Sequence, residues 1–357
     1  MSIPASPSRR ALPAMAATLA LGLGLAACGS SGSTTAPSGQ AAKPVFTMVT
    51  DQTGLGDHGF NDLAKLGIDE TAKALGGLAK VIQSSEQAQY VPNLQQSVSS
   101  GSTVTIGVGF LLTDSMSQVA QSNPNAKFVL IDATAVGTDK KPLTNVASIN
   151  FKEQEAAFLT GIIAGLTTKT HRIGFVGGIK SGPVVRFLAG FEAGIKQVDP
   201  KTRLSTAFLG NFTDSAKAKE LAKGYSDAGA DIVMEVAGSG GLGVYDAAKE
   251  EGAGHWVIGT DTCKDQLAPQ NFLTSATKDV AGMVAKESKA AADGTFKGGE
   301  LRLGLADNAV GVCDKTFGTL PKNIQDTVTK ATTAIKAGTL TVPDTEAAAA
   351  AFTAATL

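Results

Sequence analysis

The chain has 357 residues, 43% of them hydrophobic and 18% charged, which is enough for two domains with sizeable cores and excludes a disordered chain. Lys and Arg number 31 against 32 Asp and Glu, a formal charge of −1 that gives no electrostatic case for nucleic acid. The three cysteines, Cys28, Cys263 and Cys313, form no CxxC spacing, which argues against a structural zinc site.

Residues 1–27 read as a signal peptide: Arg9 and Arg10 precede the apolar run ALPAMAATLALGLGLAA, which is short for a membrane span. It ends in LAAC (25–28), which resembles a bacterial lipobox; that resemblance implies cleavage before Cys28 and a lipid on its thiol. Residues 28–43 continue as a Gly/Ser/Thr/Pro tether. The folded part is therefore expected outside the cytoplasmic membrane, anchored through Cys28. Export also bears on Cys263 and Cys313, which either oxidise to a disulfide or remain two buried thiols, with the oxidising compartment favouring the bond.

From residue 45 onward, short Val/Ile-rich runs alternate with longer Ala-rich stretches of helical period. VFTMVT (45–50), AKVIQS (79–84), TVTIGVGF (103–110), KFVLID (127–132) and NVASINF (145–151) are strands, with a helix starting near Asn61 and others near 92–100 and 115–122. The pattern restarts at 152 with a helix, then the strands HRIGFVGG (171–178), TRLSTAFLG (202–210), ADIVMEVAG (230–238) and HWVIGTD (255–261). The fold class is α/β, with two doubly wound parallel-sheet lobes. The boundaries are drawn at 44–150 plus about 260–298 for the N-terminal lobe, and 151–259 plus about 299–340 for the C-terminal lobe. ELRLGLADNAVGVCD (300–314) reads as a hairpin around Ala306–Asn308, and the Ala-rich end as a loosely packed or frayed helix.

In open α/β sheets ligands bind beyond the carboxyl ends of the strands. Those ends carry Asp51 with Phe60 and Asn61 in the following loop, Asp132, Arg186 and Phe187 after a glycine pair, the Gly238 turn, Asp261 and Lys278. Carboxylates accept from hydroxyl and N–H groups, and phenyl rings stack on flat faces. The set suits a neutral or weakly basic ligand with an aromatic ring and a polyol, such as a nucleoside, and suits phosphate badly. Taken singly, an Asp at a strand end is more often a helix cap or turn residue, and a Phe at a helix start more often core. GSGGLG (238–243) lacks dinucleotide-loop spacing, the three histidines share no metal-ligand spacing, and no GxSxG occurs. No catalytic residue, metal ligand or cofactor is assigned.

FTMVTDQTGLGDHGFND (46–62), RFLAGFEAGIK (186–196), AGSGGLGVYDAAKE (237–250), VIGTD (257–261) and LAPQNFLTSATKDV (267–280) resemble, in order, segments of the basic membrane protein family of substrate-binding lipoproteins, to which purine nucleoside receptors of bacterial ABC importers belong. The resemblance implies a type I periplasmic-binding-protein fold with two lobes joined by three crossovers and a ligand between them. It implies a purine between Phe60 and Phe187, with Asn61 and Asp132 on the base edge. Asp261 and Lys278 would hold the ribose hydroxyls, with Asp51 and Gly238 nearby. It also implies an ABC permease and ATPase as partners, and a monomer. His58-Gly59 stands where the family often has a Lys/Arg-Ser pair, and Ala64-Lys65 where it usually has an aromatic. The alternatives are an importer receptor for a sugar or other small metabolite, a nucleoside hydrolase, or a surface adhesin.

Overall fold

The computed structural model describes residues 43–357, so the signal peptide, Cys28 and nearly all of the tether lie outside the described residues. Strand and helix alternate from the start of the fold as far as β4, which is followed directly by β5. β1 (Val45–Val49), α1 (Phe60–Leu75), β2 (Leu78–Ile82), α2 (Tyr90–Ser99), β3 (Val104–Val108), α3 (Thr113–Ser122), β4 (Phe128–Ile131) and β5 (Val146–Phe151) come first. Then follow α4 (Glu153–Thr167), β6 (Arg172–Gly177), α5 (Gly182–Val198), β7 (Arg203–Phe208), α6 (Ser215–Asp227), β8 (Ile232–Val236), α7 (Leu242–Glu251), β9 (Trp256–Asp261) and β10 (Phe272–Lys278). The chain ends with α8 (Val280–Ala292), β11 (Gly299–Leu303), β12 (Val310–Val312), α9 (Asp314–Phe317), α10 (Lys322–Lys336) and α11 (Glu346–Ala350).

These strands form two six-stranded sheets, ordered β11-β5-β4-β3-β1-β2 and β12-β10-β9-β8-β6-β7. All pairings are parallel except β10 with β12, where Ala276 lies opposite Val312. Parallel strands covered on both faces need apolar side chains throughout. β3 and β5 are accordingly buried at every position, while edge strand β2 is not. Helix α4 is buried almost all round, and its backbone abuts α5 so closely that a Cβ on Gly194 would fall 2.0 Å from the Phe158 carbonyl oxygen.

The lobe boundaries differ from the sequence expectation over residues 272–303. β10 (Phe272–Lys278), expected in the first lobe, completes the second sheet beside β9. β11, expected in the second lobe, pairs with β5 in the first sheet. The segment 300–314 is therefore not a hairpin: β11 and β12 belong to different sheets, and the turn between them is a crossover. Two short strands flanking a polar turn carry the same local pattern whether they pair with each other or with separate sheets, and only the tertiary partners decide. The connections β5–α4, β10–α8 and β11–β12 make the three crossovers implied by the resemblance. Helix α8 returns to the first lobe, packing on α1 through Gly67, whose Cβ position lies 2.5 Å from the Ala281 carbonyl oxygen.

The C-terminal segment is docked rather than frayed. Ala349 is fully buried, Phe352 meets Phe158 edge-on at 5.8 Å, and Gln197 accepts from the Ala355 amide at 2.9 Å. Cys263, after β9, and Cys313, after β12, are joined by a disulfide with their Cα atoms 5.2 Å apart.

Candidate functional site

The carboxyl ends of β1, β3 and β4 in one sheet face those of β8, β9 and β10 in the other across a cavity. The residues predicted from strand ends meet there. Asp51, Phe60, Asn61 and Asp132 line it from the first lobe; Phe187, Gly238, Asp261 and Lys278 line it from the second.

Each is held by its local geometry. The opening loop is organised by carboxylates. Asp57 accepts from the amides of Gly59 at 3.0 Å, Asn61 at 2.8 Å and Asp62 at 3.2 Å, and so caps α1 from upstream. Asp62 in turn accepts from the amides of Gly56 and His58. This frame presents Phe60 and Asn61 at the first turn of α1. Asn61 is fully buried; its Nδ2 donates to Asp51 Oδ1 at 3.1 Å, which leaves its Oδ1 without a partner. Asp132 and Asp261 both adopt left-handed backbone, with φ of 66° and 70°, directly at the ends of β4 and β9. Non-glycine residues rarely sit there, and Asp tolerates it better than most. The turn after β8 uses glycine for the same region: Gly238 has φ of 58°, and a Cβ on it would meet the Phe212 carbonyl oxygen and Thr53 Cγ2, both at 3.2 Å.

Lys278 is the electrostatic centre. Its ammonium donates to Asp132 Oδ2 at 2.6 Å and lies 3.7 Å from Asp261 and 3.9 Å from Glu153. Asp132 of the opposite lobe, rather than Asp261, is thus its nearest carboxylate. The Phe60, Phe151 and Phe187 ring centroids lie 4.6, 5.4 and 5.6 Å from the same ammonium. Burial alone would lower the Lys278 pKa; Asp132, Asp261 and Glu153 reverse that, and the net direction is upward. Burial raises Asp132 to about 6 against the pull of Lys278, with Glu153 and Asp261 adding to the rise. Asp51 is raised to about 6 by burial, opposed by hydrogen bonds from Asn61 and Thr53. Both carboxyls are therefore ionised at neutral pH. Asp132 Oδ1, like Asn61 Oδ1, is buried without a hydrogen-bond partner. Native proteins rarely leave such atoms unpaired.

The sequence reading missed several members. Glu153, fully buried at the start of α4, takes a two-pronged contact from Arg186, with Nε at 2.6 Å and the other nitrogen at 3.3 Å. Phe110 and Phe212 also line the cavity, one from each lobe, and meet edge-to-face at 6.0 Å. The strand-end rule reaches both once β3 is ended at Val108 and β7 at Phe208; counting Phe110 as the last strand residue hid it. His58 does not line the cavity: it is exposed, with φ of 50°.

Two α/β lobes, three crossovers and a cleft at the strand ends define a solute-binding protein of the type I periplasmic class. The fold superposes with a TM-score of 0.77 and 26% identity on a solute-binding protein of an ABC transporter system from Aeropyrum pernix K1, covering 86% of this chain and 96% of that one. The chain belongs to the Bmp family, ABC transporter substrate-binding proteins described as PnrA-like, whose pattern matches residues 45–346. Its relatives include the ABC transporter nucleoside-binding protein BmpA of Lactococcus lactis subsp. cremoris, 34% identical over 83% of this chain and 88% of that protein. Basic membrane protein A1 of Borrelia garinii subsp. bavariensis is 36% identical over 75% of this chain and 79% of its own. The CD4+ T-cell-stimulating antigen of Listeria monocytogenes is 33% identical over 84% and 89%. The family is extracytoplasmic and membrane-associated. Among the described residues no helix is long and apolar enough to cross a membrane.

Proposed function

We propose that this chain captures nucleosides, with purine nucleosides preferred, outside the cytoplasmic membrane and delivers them to an ABC permease and its ATPase. The observation that carries the reading is a pair of buried acceptors, Asn61 Oδ1 and Asp132 Oδ1, left without protein partners in a cavity that also holds Phe60 and Phe187. Unpaired acceptors call for N–H or O–H donors from a ligand, and aromatic walls call for a flat ring. In this reading the base lies between Phe60 and Phe187 with its edge on Asn61 and Asp132. Asp261 and Lys278 hold the ribose hydroxyls, with Asp51 and the Gly238 turn beside them. Four carboxylates, Asp51, Asp57, Asp132 and Asp261, line the cavity against the single cation Lys278, which disfavours a phosphorylated nucleotide. The kinship with a nucleoside-binding relative at 34% identity supports the same conclusion.

The protein acts as a monomeric receptor, not an enzyme, and is tethered by a lipid on Cys28. Titration calorimetry with guanosine, inosine, adenosine, uridine and ribose tests the central claim. Binding of purine nucleosides above uridine and ribose is expected, and no binding of any nucleoside would end it. Release of free base on incubation with inosine would replace the receptor with a hydrolase. Mass spectrometry of the mature membrane-extracted chain checks the diacylglycerol on Cys28.

A further inference from the structure

A second buried lysine lies just outside the cavity. Lys264, in the loop after β9, is 1% exposed, and its ammonium is 3.1 Å from Glu235 Oε1. Glu235, on β8, is fully buried. Its carboxylate also accepts from the amides of Ala237 and Thr260, each at 3.3 Å. One side chain therefore ties the end of β8, which runs into the Gly238 turn, to the end of β9, which carries Asp261. Neither Lys264 nor Glu235 lines the cavity.

The other side of Lys264 meets the first lobe. A Cβ built on Gly59 would lie 3.1 Å from Lys264 Nζ, 3.2 Å from its Cε and 3.3 Å from Asp261 Oδ2. Gly59 immediately precedes Phe60 and Asn61, and its amide is fixed by Asp57. Asp57 and Asp261 add to the attraction that Glu235 exerts on the ammonium. A buried ion pair is an expensive way to fill space, so its position at the contact between lobes is informative.

We propose that Lys264, braced by Glu235, is a positioning residue for lobe closure: it is the surface on which the bare Gly59 backbone lands, and it sets how far Phe60 and Asn61 approach Asp261. The absence of a side chain at Gly59 allows the landing. Lys264 touches no ligand in this scheme and acts through α1. The binding arm of the test rests on the nucleoside reading; the exchange arm does not.

Removing Lys264 alone strands Glu235, so the informative variants are the neutral pair Lys264→Met with Glu235→Gln, and Gly59→Ala, which disturbs the contact from the opposite lobe. Hydrogen exchange of residues 57–62 is measured in the ligand-free protein, and inosine release by stopped flow. Both variants are expected to lose about tenfold in amide protection across that segment, on the logic that closure protects it. They are expected to release inosine about tenfold faster while the association rate changes little, because the loss falls on the closed state. Wild-type protection and release in Gly59→Ala overturn the proposal, as they do in the neutral pair. If the neutral pair fails to fold, Gly59→Ala decides alone. If the wild type binds no inosine, the nucleoside reading falls and the exchange arm still decides the role of Lys264.

Discussion

Lys278 and Lys264 belong to the same lobe, are both buried, and are both raised in pKa by carboxylates that outweigh burial, yet their surroundings differ. Around Lys264 the protein satisfies the pair: Glu235 collects the ammonium, two backbone amides and the Tyr245 hydroxyl. Around Lys278 it does not. Asp132 gives one oxygen to the ammonium and keeps the other unpaired, and aromatic rings stand where further polar groups could have been. Burying a charge costs several kcal/mol in either case. A saturated network offsets that cost within the fold, whereas an unsaturated one leaves part of the offset to a ligand.

The largest effect that probes this difference is expected from Lys278→Met. It leaves Asp132, Glu153 and Asp261 close together, with Arg186 paired to Glu153 and Lys264 near Asp261 as remaining cations, and removal of one buried partner typically costs about 3–5 kcal/mol. The loss should be full at pH 7.5 and smaller at pH 5. Asp132 already titrates at about 6, and without Lys278 its pKa rises further, so the proton neutralises the stranded charge. Denaturant unfolding at the two pH values checks this; an equal loss at both would show that the cluster does not hold buried charge.

Asp51 offers the next effect. It lacks a cation partner, and burial raises it to about 6 from 3.8. A folded-state pKa above the unfolded value makes a contribution to stability that is complete below about 4 and lost as pH rises through 6. A shift of about 2 units corresponds to about 3 kcal/mol. Asp51→Asn therefore gains on the wild type by up to that amount between pH 4 and pH 7.5, measured as the difference in unfolding free energy. Ligand affinity has the opposite sign. A protonated carboxyl turns one oxygen into a donor and accepts more weakly at the other, so wild-type affinity for inosine should hold above pH 7 and fall about tenfold or more by pH 5, through protonation of Asp51 and Asp132.

Both lysines are plain in the sequence, but only Lys278 was legible as a site residue. It ends a strand in a segment resembling a known family, and the strand-end rule does not need the tertiary structure. Lys264 sits three residues beyond Asp261 in a loop, and its meaning depends on Glu235 in the neighbouring strand and Gly59 in the other lobe. Nothing local distinguishes it from a solvated surface lysine. Glu153 escaped for the same reason: at a helix start it reads as a residue favoured by the helix dipole, and only Arg186 and Lys278 make it part of a cluster. The alternation of strands and helices was readable because burial on both faces demands apolar runs. The exchange of β10 and β11 between lobes was not, because both strands have the same pattern and which sheet each joins is decided at the crossovers.

The smallest effect concerns Phe60, and it separates a wall of the site from a piece of core. Phe60 is half-buried with its ring over the Lys278 ammonium, whereas Phe158, on α4, is fully buried. If Phe60 serves as core, Phe60→Ala should behave as Phe158→Ala does, with a stability loss of about 3–5 kcal/mol and any affinity loss secondary to it. If it faces a base, Phe60→Ala should lose little stability and weaken inosine binding by more than about tenfold, roughly 1.4 kcal/mol, since an aromatic pair contributes about 0.5–1.5 kcal/mol beyond area. Phe60→Leu sharpens the choice, because it retains most of the apolar bulk and removes the ring face. Affinity that stays low in Phe60→Leu while unfolding matches the wild type is the outcome a stacking wall requires; recovery of affinity would make bulk sufficient. Phe187 cannot replace it as the probe. At 2% exposure its truncation opens a core cavity as well as the ligand wall, and the two losses would be read together.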